Sequence, residues 1–225
     1  MDDEDLRLAV YRGLAATGRA PSRDDLVDLL GVDRAGVDDG LRRLAALRHL
    51  ALDAAGGIVL AHPFATVNLG FSVMGRDTLW WGGCAWDSFA IPHLVPTEPD
   101  VLVATTCPHC GAALAWVVGR EGPPDGDAVA DFPTSVHHIW DDVVRTCSRQ
   151  RLFCSRDHLD AWHRHHPVGD VLDLATLWRL AQHWYDGRLD RGYARRDPSE
   201  AAAYFRSVGL DGPHWGLEDV GDGGR

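Results

Sequence analysis

Cys84 and Asp87 stand three residues apart in Trp80-Trp81-Gly82-Gly83-Cys84-Ala85-Trp86-Asp87, and a further thiol follows in Leu152-Phe153-Cys154-Ser155. Side chains three apart on a helical turn share a face, so this thiol and this carboxyl can address one bound atom. Thiolates are the soft ligands of proteins, which makes a soft metal the expected atom. A different constellation lies between them. Cys107-Pro108-His109-Cys110-Gly111 has the form of a zinc knuckle, in which two thiolates three apart grip a tetrahedral ion. A zinc ribbon needs a second such pair, and Cys147 and Cys154 are seven apart. A mixed site of Cys107, Cys110, Cys154 and His158 would complete the set, the last two being spaced C-x3-H. Zinc there would close Cys154 to any other ligand. His137, His138, His163, His165 and His166 read as mostly solvated, and Trp81 and Trp86 as walls of an apolar pocket. Cys147 has no assigned role and reads either as a buried thiol near the site or as a replacement partner for Cys154.

The elements that must position these groups follow from periodicity. Residues 4–16 carry apolar side chains at helical spacing, Ser22 caps a second helix that Gly31 stops, and a third runs from about Asp33 to Leu47. Leu50–Leu52 and Ile58–Leu60 flank a Gly-rich turn as a hairpin, so residues 1–65 read as a winged-helix-like domain. Residues 66–190 read as a second domain, and 191–225 as an extension with a short helix, Pro198–Arg206, and a mobile Gly/Asp-rich end. Within the second domain a strand–turn–strand unit ends at Trp81, and a helix from Cys84 to Leu94 contains Pro92. Strands at 101–105 and 112–118 flank the Cys107–Gly111 turn. Ser135–Asp142 reads as a short helix, Val143–Cys154 as an interrupted strand, His158–His166 as a helical turn and Leu172–Leu189 as a long helix. The class is α+β, a mixed or antiparallel sheet with flanking helices.

Composition narrows the partners. The formal net charge is -11 and the first 65 residues are net acidic, which opposes binding to a phosphate backbone, although the third helix reads as carrying Arg34, Arg42, Arg43 and Arg48. The acidic start lacks the features of a secretory signal and no apolar run reaches spanning length, so a cytoplasmic protein without a membrane partner is expected. Five cysteines, an odd number, fit ligands, nucleophiles or small hydrophobes in a reducing compartment better than disulfides.

Trp81-Gly82-Gly83-Cys84-Ala85-Trp86-Asp87-Ser88-Phe89-Ala90-Ile91-Pro92, with Cys107 and Phe153-Cys154 downstream, resembles the organomercurial (alkylmercury) lyases of mercury resistance over about residues 5–189. The resemblance implies a lyase that protonolyses carbon–mercury bonds, with Cys84 and Cys154 binding mercury in turn and Asp87 passing a thiol proton to carbon. It implies a small organomercurial substrate, no required cofactor, and Hg(II) left as bound product for small thiols or a mercuric reductase to accept. Cys107 matches a family cysteine that is chiefly structural, whereas Cys110 is a departure from the family. Phe153-Cys154-Ser155-Arg156-Asp157-His158 is also similar to the F-C-S-x-x-[C/H] element of small heavy-metal-binding domains. The alternatives are therefore a non-catalytic zinc- or heavy-metal-binding protein, with structural zinc on Cys107, Cys110, Cys154 and His158, and a divergent relative acting on another substrate.

Overall fold

The computed structural model describes residues 2–217. Three helices come first: α1 (Asp3–Thr17), α2 (Arg23–Leu30) and α3 (Arg34–Ala46). Each begins on a side chain, Asp2, Ser22 or Asp33, that accepts a backbone N–H of its first turn. At α2 the bond is reciprocated, since Asp25 accepts the Ser22 N–H at 2.8 Å, and two otherwise unpaired donors are satisfied together. Gly18 and Gly31 close α1 and α2 in the left-handed conformation that only glycine adopts cheaply. The apolar faces of the three helices meet in a dry core that includes Leu6, Val10, Leu14, Leu26 and Leu41.

The hairpin of β1 (Ala51–Leu52) and β2 (Ile58–Ala61) follows, and it continues into the main sheet. β2 pairs with β3 (Phe64–Ala65), which pairs with β5 (Leu79–Gly82); β4 (Phe71–Met74), β6 (Asp100–Thr106) and β7 (Ala113–Gly119) extend the sheet on the far side of β5. The order is β1-β2-β3-β5-β4-β6-β7 and every pairing is antiparallel. The boundary expected near residue 65 thus falls inside one continuous sheet. Trp80 on β5 adds a further tie, its indole N–H donating to the Leu14 carbonyl of α1 at 2.9 Å.

α4 (Ala85–Leu94) has an apolar sequence around its whole circumference, and nine of its ten residues are buried. Such a helix must be covered on every side. The sheet covers one side and α7 (Leu174–Gln182) the other. Pro92 does not end α4: Arg120 donates to the carbonyls of Pro92 and Val95, both at 2.8 Å, and holds the last turn.

A second sheet, of three antiparallel strands, has the order β10 (Asp170–Asp173), β8 (Val129–Phe132), β9 (Arg151–Phe153). Here the structure departs from the sequence reading. Val143–Cys154 is not one strand: Val143–Arg149 forms helix α5, started by Asp142 accepting the Arg145 N–H at 3.0 Å, and only three residues after it are strand. Leu172 belongs to β10, because Asp173 caps α7 by accepting the Thr176 N–H at 2.7 Å, and α7 stops at Gln182 rather than Leu189. Strand β8 was not expected, and the short helix at 135–142 is a 310 turn, Val136–Asp141. Helices α6 (Arg156–His163) and α8 (Pro198–Ser207) complete the architecture. The Gly/Asp-rich end expected to be mobile lies largely outside the described residues.

Candidate active site

Cys84 occupies the cap position of α4, with an extended backbone and its Sγ accepting the Asp87 N–H at 3.4 Å. From there its S–H reaches Asp87 Oδ2 at 3.2 Å. Both side chains are buried, Cys84 being 2 % exposed and Asp87 1 %. The two glycines before the thiol make room for this contact. A Cβ on Gly83 would stand 2.3 Å from Asp87 Oδ2, and one on Gly82 would stand 2.0 Å from the Ser88 hydroxyl.

Three groups from distant parts of the chain converge on the same carboxyl. Cys147 of α5 brings its Sγ to 3.9 Å from Asp87 Oδ2. His62, between β2 and β3, places Nε2 at 3.3 Å from Cys147 Sγ and 3.8 Å from Asp87 Oδ2. Tyr185 donates its O–H to Asp87 Oδ1. One carboxylate oxygen is therefore held by a phenol while the other faces both thiols. Arg188 braces this shell, 4.6 Å from the Tyr185 ring centroid and donating to the His62 carbonyl at 2.9 Å. The Ala85 N–H donates to the Gln150 carbonyl at 3.1 Å, which ties the start of α4 to the end of α5.

The two thiols are driven apart in acidity. Burial pushes Cys84 well above the ordinary thiol range, reinforced by its hydrogen bond with Cys147 and by the Asp87 charge. Cys147 moves down, because the hydrogen bond with Cys84 and the cation on His62 outweigh its own burial. Burial disfavours charge on His62, yet the charges of Asp87 and Cys147 raise it overall. Burial and the adjacent Asp87 raise Tyr185 well above its usual value, so it stays a hydrogen-bond donor. The arrangement donates the Cys84 S–H to Asp87 and sets the His62 ring against the Cys147 sulfur, so the thiolate is favoured on Cys147 over Cys84.

A cavity of about 520 Å³ opens onto these groups, with Trp86, Trp140 and Trp184 among its walls. Trp81, expected beside Trp86, does not line it. Of the thiols that the resemblance implies, Cys84 lies beside Asp87 and Cys154 lies elsewhere. Cys154 gathers with Cys107, Cys110 and His158, one ligand atom from each lying within 4.8 Å of the others. The reason is α5: its helical turn aims Cys147 at α4, and β9 then carries the chain to the turn that follows β6. His163 also differs from expectation, since it is largely buried with Nε2 at 3.1 Å from Asp131.

His62 and Tyr185 were not singled out from the sequence, and Cys147 reads there only as a buried thiol near the site or a replacement partner for Cys154. A signal did exist for Cys147, because Asp142 before Val143-Val144 is a helix cap that would have turned this segment from strand to helix. His62 sits in no motif, and Tyr185 lay within a helix expected to run on to Leu189.

An α+β scaffold that buries two thiols around one carboxyl, beneath an aromatic cavity, defines a cysteine-based protein whose donor set suits a soft metal, with an acid group beside it. The alkylmercury lyase family model matches residues 64–186, more than half of the chain, and the chain belongs to that family. It is a carbon–mercury lyase, of a family whose reaction needs no organic cofactor. Among solved structures, the fold is similar to the crystal structure of the mercury-bound form of MerB2, with a TM-score of 0.61 and 17 % identity, covering 82 % of this chain and 91 % of that one. Among curated proteins there is no match.

Proposed function

We propose that Cys84 and Cys147 are the mercury ligands of this lyase and that Asp87 is the acid that protonates carbon, so that the role the resemblance gives Cys154 passes to Cys147. The observation that carries this reading is that both sulfurs face one carboxylate oxygen, at 3.2 Å and 3.9 Å. The Cys147 thiolate attacks the mercury of R–Hg–X and displaces X. Cys84 then binds as its proton passes to Asp87, and the added thiolate donation makes the bound carbon more basic. Asp87 returns that proton to carbon while the carbon–mercury bond breaks, its electron pair forming the new C–H bond. Hydrocarbon leaves and Hg(II) stays on the two sulfurs, with no change of oxidation state.

The aromatic walls of the cavity suit small alkyl and aryl mercurials, and the cavity gives small thiols or a mercuric reductase a route to the Hg(II) product. The charge distribution disfavours a nucleic-acid partner. The arginines of α3 are engaged with carboxylates, Arg34 with Asp24, Arg42 with Asp39 and Arg43 with Asp3. The site of action is the cytoplasm, where five unpaired thiols persist; no helix among the described residues is long and apolar enough to cross a membrane.

The test is single-turnover release of benzene from phenylmercury in excess thiol, with Cys84→Ser, Cys147→Ser and Cys154→Ser beside wild type. Release that disappears in the first two and persists in the third supports the assignment. Release that survives in Cys147→Ser and disappears in folded Cys154→Ser returns the second ligand to Cys154.

A further inference from the structure

The cluster of Cys107, Cys110, Cys154 and His158 is separate from the lyase site and belongs to a different packing unit. Cys107 sits with Phe153, Leu159 and Cys154, while Cys84 and Cys147 lie in the main core. Its geometry is specific. Cys154 Sγ lies 3.7 Å from Cys110 Sγ and 3.7 Å from Cys107 Sγ. Thiolates held about 2.3 Å from a tetrahedral zinc stand about 3.8 Å apart, the edge of that tetrahedron. The same spacing is far too long for a disulfide, whose sulfurs are about 2 Å apart. His158 Nδ1 provides the fourth donor, at 4.0 Å from Cys107 Sγ and 2.8 Å from Cys154 Sγ. The short edge is a hydrogen bond between the two groups that an ion would replace.

We propose that Cys107, Cys110, Cys154 and His158 hold a resident structural zinc ion, in addition to the mercury-binding lyase site. Three thiolates and one imidazole, with no carboxylate among them, select zinc over the hard cations, and four protein donors leave no open position for chemistry. The ion would close a staple between the two sheets. Cys107 and Cys110 lie in the turn between β6 and β7 of the large sheet, and Cys154 and His158 lie where β9 of the small sheet enters α6. β9 directly follows α5, so the staple and the Ala85–Gln150 hydrogen bond together hold the C-terminal end of the helix that carries Cys147. Zinc here and lyase chemistry at Cys84 do not exclude each other, because the two sites share no residue.

The experiment is metal analysis of the full chain purified without chelator, followed by exchange of the metal for Co(II) and absorption spectroscopy. Wild type is expected to carry one zinc per chain, as is the Cys84→Ser/Cys147→Ser double variant, and Cys110→Ser is expected to lose it. The Co(II) form should show the intense d–d bands of a tetrahedral thiolate site, shifted in His158→Cys toward those of four sulfurs. That spectral pair carries the test if Cys110→Ser fails to fold. Folded wild type that is metal-free and takes up no Co(II) overturns the proposal, and so does zinc that is retained in Cys110→Ser and lost in the double variant.

Discussion

Asp87→Asn isolates the proton transfer from everything else the residue does. The carboxamide has the shape of the carboxylate, and its oxygen can keep the Tyr185 hydrogen bond while its NH2 faces the sulfurs of Cys84 and Cys147. No buried polar group is left without a partner, so folding should change little. What is lost is the group proposed to take the Cys84 proton and give it to carbon. A positioned acid–base residue contributes about 10²–10⁴ in rate, or about 2.7–5.4 kcal/mol of barrier. The upper half of that range applies here. Asp87 is 1 % exposed, so solvent is poorly placed to act in its stead, and burial favours the thiol form of Cys84. The assay is single-turnover benzene release at neutral pH, with phenylmercury retention and a thermal melt on the same preparation. The variant should bind phenylmercury and melt close to wild type while releasing benzene about 10³–10⁴ times more slowly. Release within about tenfold of wild type, a barrier change of only about 1.4 kcal/mol, would refute Asp87 as the proton donor.

Three further outcomes follow from the same geometry. His62→Gln removes the group that, after the Cys84 hydrogen bond, lowers the Cys147 thiol, so the acid limb of the turnover profile should move up toward the ordinary thiol value of about 8.5, slowing the variant at neutral pH and sparing it in alkali. An unmoved pH profile would remove His62 from the mechanism. Gly83→Ala pushes a methyl group into Asp87 Oδ2, and a shift of this kind can cost about 10²-fold in rate, so benzene release should fall far more than the melting temperature; a wild-type rate would show that the carboxyl tolerates displacement. Glu4 is held down to about 2 chiefly by its hydrogen bonds from the buried Arg7, so its contribution is complete above its unfolded value near 4.5 and is lost as pH falls toward 2. Glu4→Gln should therefore lower stability by about 1–2 kcal/mol at pH 7 and by almost nothing at pH 2, as read from urea melts at the two pH values; equal losses at both would contradict the ion pair as the source.

The parts of this molecule that were legible in the sequence are those whose signals are local. The cap at Ser22, the glycine stop at Gly31 and the Gly-rich turn at residues 54–57 each depend on a few neighbouring residues, and the helices and hairpin they imply are present. Cys84 and Asp87 were legible as a pair for the same reason, since a three-residue spacing at a helix start fixes their relative direction. What was illegible depended on long-range pairing. Nothing local says that β3 joins the hairpin to the large sheet, or that His62 and Tyr185, on either side of the motif and far from it in sequence, end beside Asp87.

The choice between Cys147 and Cys154 turns on one error of local conformation and shows how much such an error moves. The resemblance gives the second thiol to Cys154 on the strength of Phe153-Cys154, in a segment, Val143–Cys154, that reads as an interrupted strand. Folded as α5 followed by β9, the same residues compress at their start, and Cys147 turns inward to the Asp87 carboxyl while Cys154 is delivered to Cys107 and Cys110. The conflict that the sequence posed, in which zinc on Cys154 would disable the lyase, rested on one thiol serving both sites. With five cysteines divided two and three between a buried acid–thiol site and a tetrahedral cluster, each set has its own chemistry. The helix cap at Asp142 is the feature that divides them. A substitution there that frays α5, such as Asp142→Ala, removes a cap worth about 1 kcal/mol and should impair turnover through Cys147 while leaving the four-residue cluster intact.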